Sequence, residues 1–340
     1  LKRIIINITQ YTLFISLGIF LLYLAFKGKN FHEIGHYLIT ANYYWVILSL
    51  AIGYIAFYVR AYRWTLLMEP IGYHPGLMNT YHAVIIGYTA NFALPRIGEV
   101  VRCGTLNRIE KIPADILIGT VIAERAFDLL CLFLLTFITI LLKLKFFGSF
   151  FKEKIFDYTS QKITSTFNFS LIIWLSLIVF AIVILALVYI FRQQIKKIAL
   201  VKKISSIGKG VLKGVYTVLQ LKRKKAFLFH TLILWTLYYG MTYVIMFSLS
   251  STSKLSPVDG LFIFVIGSFG MAAPVQGGMG AFHTIISLGL IGLYHIPQDE
   301  SIAFAVISHE PQLIGIVIAG AISMLILFLR RKKINSKNLL

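Results

Sequence analysis

Three observations predict an all-α polytopic membrane protein. The chain is 58% apolar and only 14% charged, with a mean hydropathy of +0.81, whereas a soluble domain carries about a quarter charged residues. Apolar runs of roughly twenty residues recur along it, the length that crosses a hydrocarbon core. Lysines and arginines cluster between those runs, as they do beside spans on a cytoplasmic face. The expected architecture is about six full spans plus two re-entrant broken hairpins, arranged as an inverted-topology repeat. No stretch is long and polar enough to form an enzyme domain outside the bilayer.

The first span is expected from Tyr11 to Phe26, ended by Lys27-Gly-Lys-Asn30. It is read as a retained span, because no small-x-small cleavage site follows it. The second runs from Tyr43 to Trp64, with Arg60, Arg63 and Trp64 placed as an interfacial anchor. An apolar stretch from Thr80 breaks at Pro95, and a polar helical piece follows from Gly98 to Ile112. A strong span then covers Ala114 to Leu142. Residues 146–169 read as a polar, aromatic loop and 170–191 as another span. The segment Arg192 to Lys225 holds eleven Lys/Arg and no Asp or Glu. Its apolar residues, from Ile195 to Val218, recur at helical spacing. That pattern fits an amphipathic helix on the membrane surface, and a solvated basic linker fits equally well. A span from Ala226 to Leu249 follows. Two apolar arms, Leu261 to Pro274 and Met279 to Tyr294, flank a glycine cluster. The last span, Ile302 to Leu329, is expected to be broken at His309-Glu310-Pro311.

Charge parity gives the topology. With the N-terminus and the basic segment inside, residues 65–113 start and end inside and residues 257–300 start and end outside. Two hairpins entering from opposite faces satisfy this, and parity alone leaves open that both arms cross fully. The chain divides into a first membrane repeat (1–145), a second (146–330) that includes the basic loop 192–225, and a basic tail (331–340). Both termini are expected in the cytoplasm, at the cytoplasmic (inner) cell membrane. Broken segments at matching positions point to a transporter-type site near the midplane.

Candidate site residues gather at those breaks. Arg96, Glu99 and Arg102 lie in Pro95-Arg-Ile-Gly-Glu-Val-Val-Arg102. Two guanidiniums can clamp a phosphate, and a half-helix N-terminus adds partial positive charge. The other reading is a loop with an intrahelical Glu–Arg pair. Glu124, Arg125 and Asp128 sit inside an apolar span, where charges should face a bundle interior or a wet cavity. Glu124 and Asp128 share a helical face, and Arg125 can pair with an acid on another element. A structural ion pair fixing helix packing is the alternative. Gly277, Gly278 and Gly280 offer backbone amides to an anion or allow close helix packing. His283 follows in the next helix, and His309 and Glu310 mirror Glu124 and Arg125. Either histidine also fits a hydrogen-bonded core residue. One further motif, His32-Glu33-Ile-Gly-His36, matches the H-E-x-x-H of zinc proteases. It is placed in an outside loop with no local third ligand, which favours an interfacial loop over a metal site.

Asn91…Pro95-Arg-x-Gly-Glu-x-x-Arg102, Glu124-Arg125-x-x-Asp128 and Pro274-x-x-Gly-Gly-x-Gly together resemble the lysylphosphatidylglycerol synthase transmembrane region family. That family includes the flippase half of the multiple peptide resistance factor proteins. The resemblance covers roughly residues 5 to 330. It implies a helical bundle with re-entrant hairpins that moves a lipid headgroup across the cytoplasmic membrane. The C-terminal aminoacyl-transferase domain has no counterpart in this sequence. Family members often carry Glu where this chain has His283, so the headgroup need not be the family's.

The expected function is therefore a flippase-like transporter of a phospholipid or a polyprenyl-phosphate-linked glycolipid, and not an enzyme. A membrane-embedded headgroup transferase is the alternative, with a zinc-dependent membrane protease behind it. Membrane lipids with anionic headgroups or lipid-linked phosphates are the expected partners. A homo-oligomer and a separate synthase or glycosyltransferase are compatible additions. Nucleic acid is excluded, because the basic residues flank spans and no aromatic–basic module lies outside the membrane. No cofactor or metal ion is expected.

Overall fold

A computed structural model describes residues 16, 18–143, 218 and 220–337. The loop 146–169, the span 170–191, the start of the first span and most of the basic segment lie outside the described residues. Every described element is helical. Helical residues 18–26 precede α1 (Phe31–Thr40), α2 (Tyr43–Met68), α3 (Leu77–Ala93), α4 (Gly98–Glu110) and α5 (Ala114–Leu142). After the basic segment come α6 (Lys224–Ile245), α7 (Pro257–Met271), α8 (Ala281–Tyr294) and α9 (Gln298–Lys337). Five segments among the described residues are long and apolar enough to cross a membrane: Tyr43–Ile71, Ala114–Leu142, Lys224–Ser248, Gln276–Tyr294 and Gln298–Arg330. The protein is a multi-pass, all-α membrane protein.

The two broken segments form helical hairpins. In the first, α3 has 17 residues and α4 has 13, so the arms are about 26 and 20 Å long at 1.5 Å per residue. In the second, α7 has 15 and α8 has 14, about 23 and 21 Å. Each arm alone falls short of the roughly 30 Å hydrocarbon core, although α8 together with the preceding turn forms the candidate span Gln276–Tyr294. By contrast α5, with 29 residues, exceeds that thickness. Local chemistry closes each hairpin. The Asn91 side chain accepts from the Gly98 amide at 2.7 Å across the first break. Glu110 accepts from the Gly76 amide at 2.9 Å and from Asn79 at 2.7 Å, closing the base. In the second hairpin Ser256 and Asp259 form a capping box at the start of α7, and Lys143 from the end of α5 pairs with Asp259.

The hairpins meet at their tips. Arg96 Nη2 donates to the Ala272 carbonyl at 2.8 Å, and the 3-10 turn Gln276–Gly278 packs on α3. Gly277, at φ +55°, lies in the slot between Phe92 and Leu313. Opposed entry from the two faces, expected from charge parity, accommodates such a contact.

Three expectations need correction. Arg60, Arg63 and Trp64 are not an interfacial anchor: all three are buried, because α2 runs on to Met68 and packs that end against α4, α5 and α6. The His32–His36 stretch is not a loop. It forms α1, capped by Asn30, whose side chain accepts from the His32 and Glu33 amides, and it buries Ile34. Pro311 does not break the last span. The helix α9 continues through it, since proline removes a single backbone hydrogen bond and contacts with α1, α3 and α8 hold both sides in line.

Close approach of α3 and α4 depends on Gly87 facing Gly98. A Cβ on Gly87 would lie 2.8 Å from the Gly98 carbonyl oxygen and 2.9 Å from Arg102 Cβ. Gly87→Ala is expected to destabilise the protein by about 1–3 kcal/mol through overpacking. Gly104→Ala, on the same hairpin with nothing within 4 Å, should be neutral or slightly stabilising. Thermal unfolding in detergent distinguishes the two.

Candidate functional site

The site is built where α2, α4 and α5 cross. Helical spacing puts Arg60 and Arg63 on one face of α2, and Glu124 and Asp128 on one face of α5. Arg60 Nη2 lies 2.7 Å from Glu124 Oε1 and 2.8 Å from Asp128 Oδ2. Arg63 Nη2 lies 3.1 Å from Glu124 Oε1 and 2.5 Å from Asp128 Oδ1. From α4, Arg102 Nη2 donates to Glu124 Oε2 at 2.8 Å. Glu124 is completely buried, and none of the three arginines is more than 3% exposed. Such depletion of solvent is tolerable only because each charge has a partner.

Helix α6 and the aromatic residues complete the shell. Arg60 Nη1 donates to the Tyr238 hydroxyl at 3.0 Å, and Arg63 Nη1 to Thr231 Oγ1 at 3.4 Å. The Arg102 guanidinium stacks 4.6 Å above the Trp64 ring, while the Trp64 indole N–H is held by Thr120 at 2.9 Å. Cation–π stacking of this kind holds a planar guanidinium in place while leaving its edge free.

One more pair lies at the rim. Arg125 Nη2 meets Glu99 Oε1 at 3.0 Å, both partly exposed. In all, four guanidiniums face three carboxylates across these helices. Arg102 Nε and Nη1 are buried without a hydrogen-bond partner, as are Nε of Arg60, Arg63 and Arg125 and Oε2 of Glu99. Arg102 lines a small recess together with Tyr88, Asn91, Gly98, Glu99 and Arg125. Gly98 begins α4 at this recess, so the positive end of a helix dipole adds to the guanidinium field. The arrangement suits a buried anion.

A second cluster lies behind the other hairpin tip. His283, in the first turn of α8, places Nε2 3.3 Å from Glu310 Oε1, and His309 Nδ1 lies 3.1 Å from the same oxygen. His309 Nε2 reaches the Gly277 carbonyl at 2.8 Å.

The structure thus brings Glu99, Arg102, Glu124, Arg125 and Asp128 together, and separately Gly277, His283, His309 and Glu310. Arg125 does pair with an acid on another element. The intrahelical Glu99–Arg102 pair is replaced by two interhelical ones. Arg96 and Arg102 do not share a partner: the first reaches Ala272, the second Glu124. Gly278 and Gly280 take positive φ and shape the turn. Arg60, Arg63 and Tyr238 were missed. The available signal was the i,i+3 arginine spacing, which complements the i,i+4 carboxylates of α5. His32 and His36 are exposed on α1. Among the described residues, the three side chains grouped closely enough to hold a metal are instead His283, His309 and Glu310.

Fold and site together define a helical membrane protein with a buried arginine–carboxylate network beside a broken hairpin. The model of the lysylphosphatidylglycerol synthase TM region family matches residues 10–320, and the chain belongs to that family. It is similar to a UPF0104 membrane protein of Methanocaldococcus jannaschii, with 23% identity over 95% of this chain and 96% of that protein. No solved structure matches the chain.

Glu124→Gln removes the carboxylate shared by three arginines. The expected loss is about 3–5 kcal/mol, the usual effect of stranding a buried charge. Glu99→Gln, in the partly exposed pair, should change stability by less than about 1 kcal/mol. Unfolding of the detergent-solubilised variants against the parent checks both.

Proposed function

We propose that this protein is a flippase-like transporter of the cytoplasmic membrane that moves a phospholipid or a polyprenyl-phosphate-linked glycolipid between leaflets. The observation that carries this reading is the unfilled edge of Arg102. It is a buried guanidinium with two N–H groups left without a partner, in a cluster where four guanidiniums face three carboxylates, and it lines a recess at a helix N-terminus. Excess charge at membrane depth is costly, and an anionic phosphate accepting from Nε and Nη1 would offset it with charge-assisted hydrogen bonds.

An apolar groove lies alongside. Leu50, Tyr54, Phe57, Met241 and Ile316 line a shallow groove, and the Phe57 ring packs 4.9 Å from Tyr88 of the recess. A headgroup in the recess would therefore have apolar surface at hand for its chain. Arg96 serves a different part of the cycle. Its backbone takes a left-handed φ of 61°, and its side-chain bond to Ala272 is one of the contacts that hold the hairpin tips together. Rocking of two inverted halves around the recess follows by analogy with transporters built from such repeats. With the termini in the cytoplasm, the first hairpin takes up the headgroup from the inner leaflet.

Translocation of a headgroup-labelled phospholipid in proteoliposomes, read by quenching of the outer leaflet, tests the proposal. Arg102→Gln is expected to slow it by about 10- to 100-fold, the equivalent of one charged hydrogen bond of about 1.5–3 kcal/mol. Arg108→Gln, exposed in the last turn of α4, should leave it unchanged. An undiminished rate in a folded Arg102→Gln protein contradicts the assignment.

A further inference from the structure

The second cluster has features that hydrogen bonding alone leaves unexplained. The Gly277 carbonyl can only accept, so His309 Nε2 must carry the hydrogen in that 2.8 Å contact. In the neutral ring Nδ1 is then a bare lone pair, and it points at Glu310 Oε1 from 3.1 Å. At that distance the pair is either a hydrogen bond donated by a ring protonated on both nitrogens or two donors to one metal ion. His283 is 1% exposed, turns Nε2 to the same carboxylate oxygen, and leaves Nδ1 buried with no partner.

The spacing fits a metal. Bonds of about 2.0–2.1 Å to nitrogen and oxygen in a tetrahedron put neighbouring donors about 3.3 Å apart. The two donor separations here are 3.3 and 3.1 Å, and all three donor atoms lie within 4.8 Å of one another. The His309 Nε2 contact with a backbone carbonyl is the orienting bond that metal-bound imidazoles make through their other nitrogen. Ring packing sets the rest: His309 stacks on Phe282 at 5.0 Å, and His283 meets His309 edge-on at 5.1 Å. Glu310 is 38% exposed, which gives an ion a way in and leaves room for a fourth ligand.

We propose that His283, His309 and Glu310 form a site for one divalent transition-metal ion of the zinc class, with an open fourth position. Two imidazoles and a carboxylate suit such an ion better than magnesium or calcium, which take oxygen ligands. The ion joins α8 to α9 and, through His309 and Gly277, fixes the tip of the second hairpin. It thereby holds the wall that Arg96 touches. The inference is independent of the headgroup recess, because no residue is shared.

The full chain, purified without a polyhistidine tag and stripped by chelation, is titrated with Zn²⁺ and with Co²⁺. The expected result is one equivalent bound per chain, with the visible absorption of four-coordinate Co²⁺ displaced by Zn²⁺. Loss of orienting partners alone weakens such sites by about 10–100-fold, so Glu310→Gln and His283→Gln should weaken binding at least about 100-fold. His32→Ala with His36→Ala should leave it intact. X-ray absorption on the unmodified protein supplies a readout that needs no variant, and two imidazoles with one or two oxygens are expected. Absence of tightly held metal, binding indifferent to Glu310→Gln, or binding abolished by the His32/His36 changes would each overturn the proposal.

Discussion

The carboxylate of Glu124 is the interaction on which the first half of the structure depends. It is the shared acceptor of Arg60 and Arg63 on one side and Arg102 on the other, so it ties α2, α4 and α5 at one buried point. It adds a buried ionic tie to the short arm α4, which is otherwise held by its packing on α3 and by the hydrogen bonds that close the hairpin. A carboxylate in hydrocarbon is tolerated only when fully paired, and here pairing overshoots. The arginines outnumber the acids, and Arg102, which lines the recess, keeps two N–H groups without a partner. In the proposed function, stability and headgroup binding draw on the same charges.

The second half uses different chemistry for a matching task. Its broken hairpin carries glycines in place of charge, and its tip is held by backbone carbonyls. Ala272 accepts from Arg96 and Gly277 meets His309. The second tip is thus fixed by two side chains from outside its own hairpin. The Arg96 contact joins the two broken hairpins directly.

Much of this was legible in the sequence for a physical reason. Glu124, Arg125, Asp128 and Arg102 stand out because charge is expensive at membrane depth, and Pro95 and the glycine cluster stand out because they stop helices. Arg60 and Arg63 escaped because basic residues next to a Trp near the end of an apolar run have the composition of an interfacial anchor. Only packing reveals that α2, about 39 Å long for its 26 residues, keeps those residues within the bundle. Pro311 misled in the opposite direction, since a missing backbone bond in a well-packed helix is bridged by its neighbours. The convergence of His283 with His309 and Glu310 needs the docking of α8 on α9, which periodicity does not encode. Parity could place the hairpins on opposite faces but could not say that their tips touch.

The central claim is that the surplus arginine charge receives an anionic lipid headgroup. The most direct measurement is an experimental density map of the protein in nanodiscs containing phosphatidylglycerol. The account predicts phosphate density within hydrogen-bond reach of Arg102 Nε and Nη1, between Tyr88 and Asn91. A recess empty of lipid, with the free edge of Arg102 satisfied by another protein side chain, would contradict it.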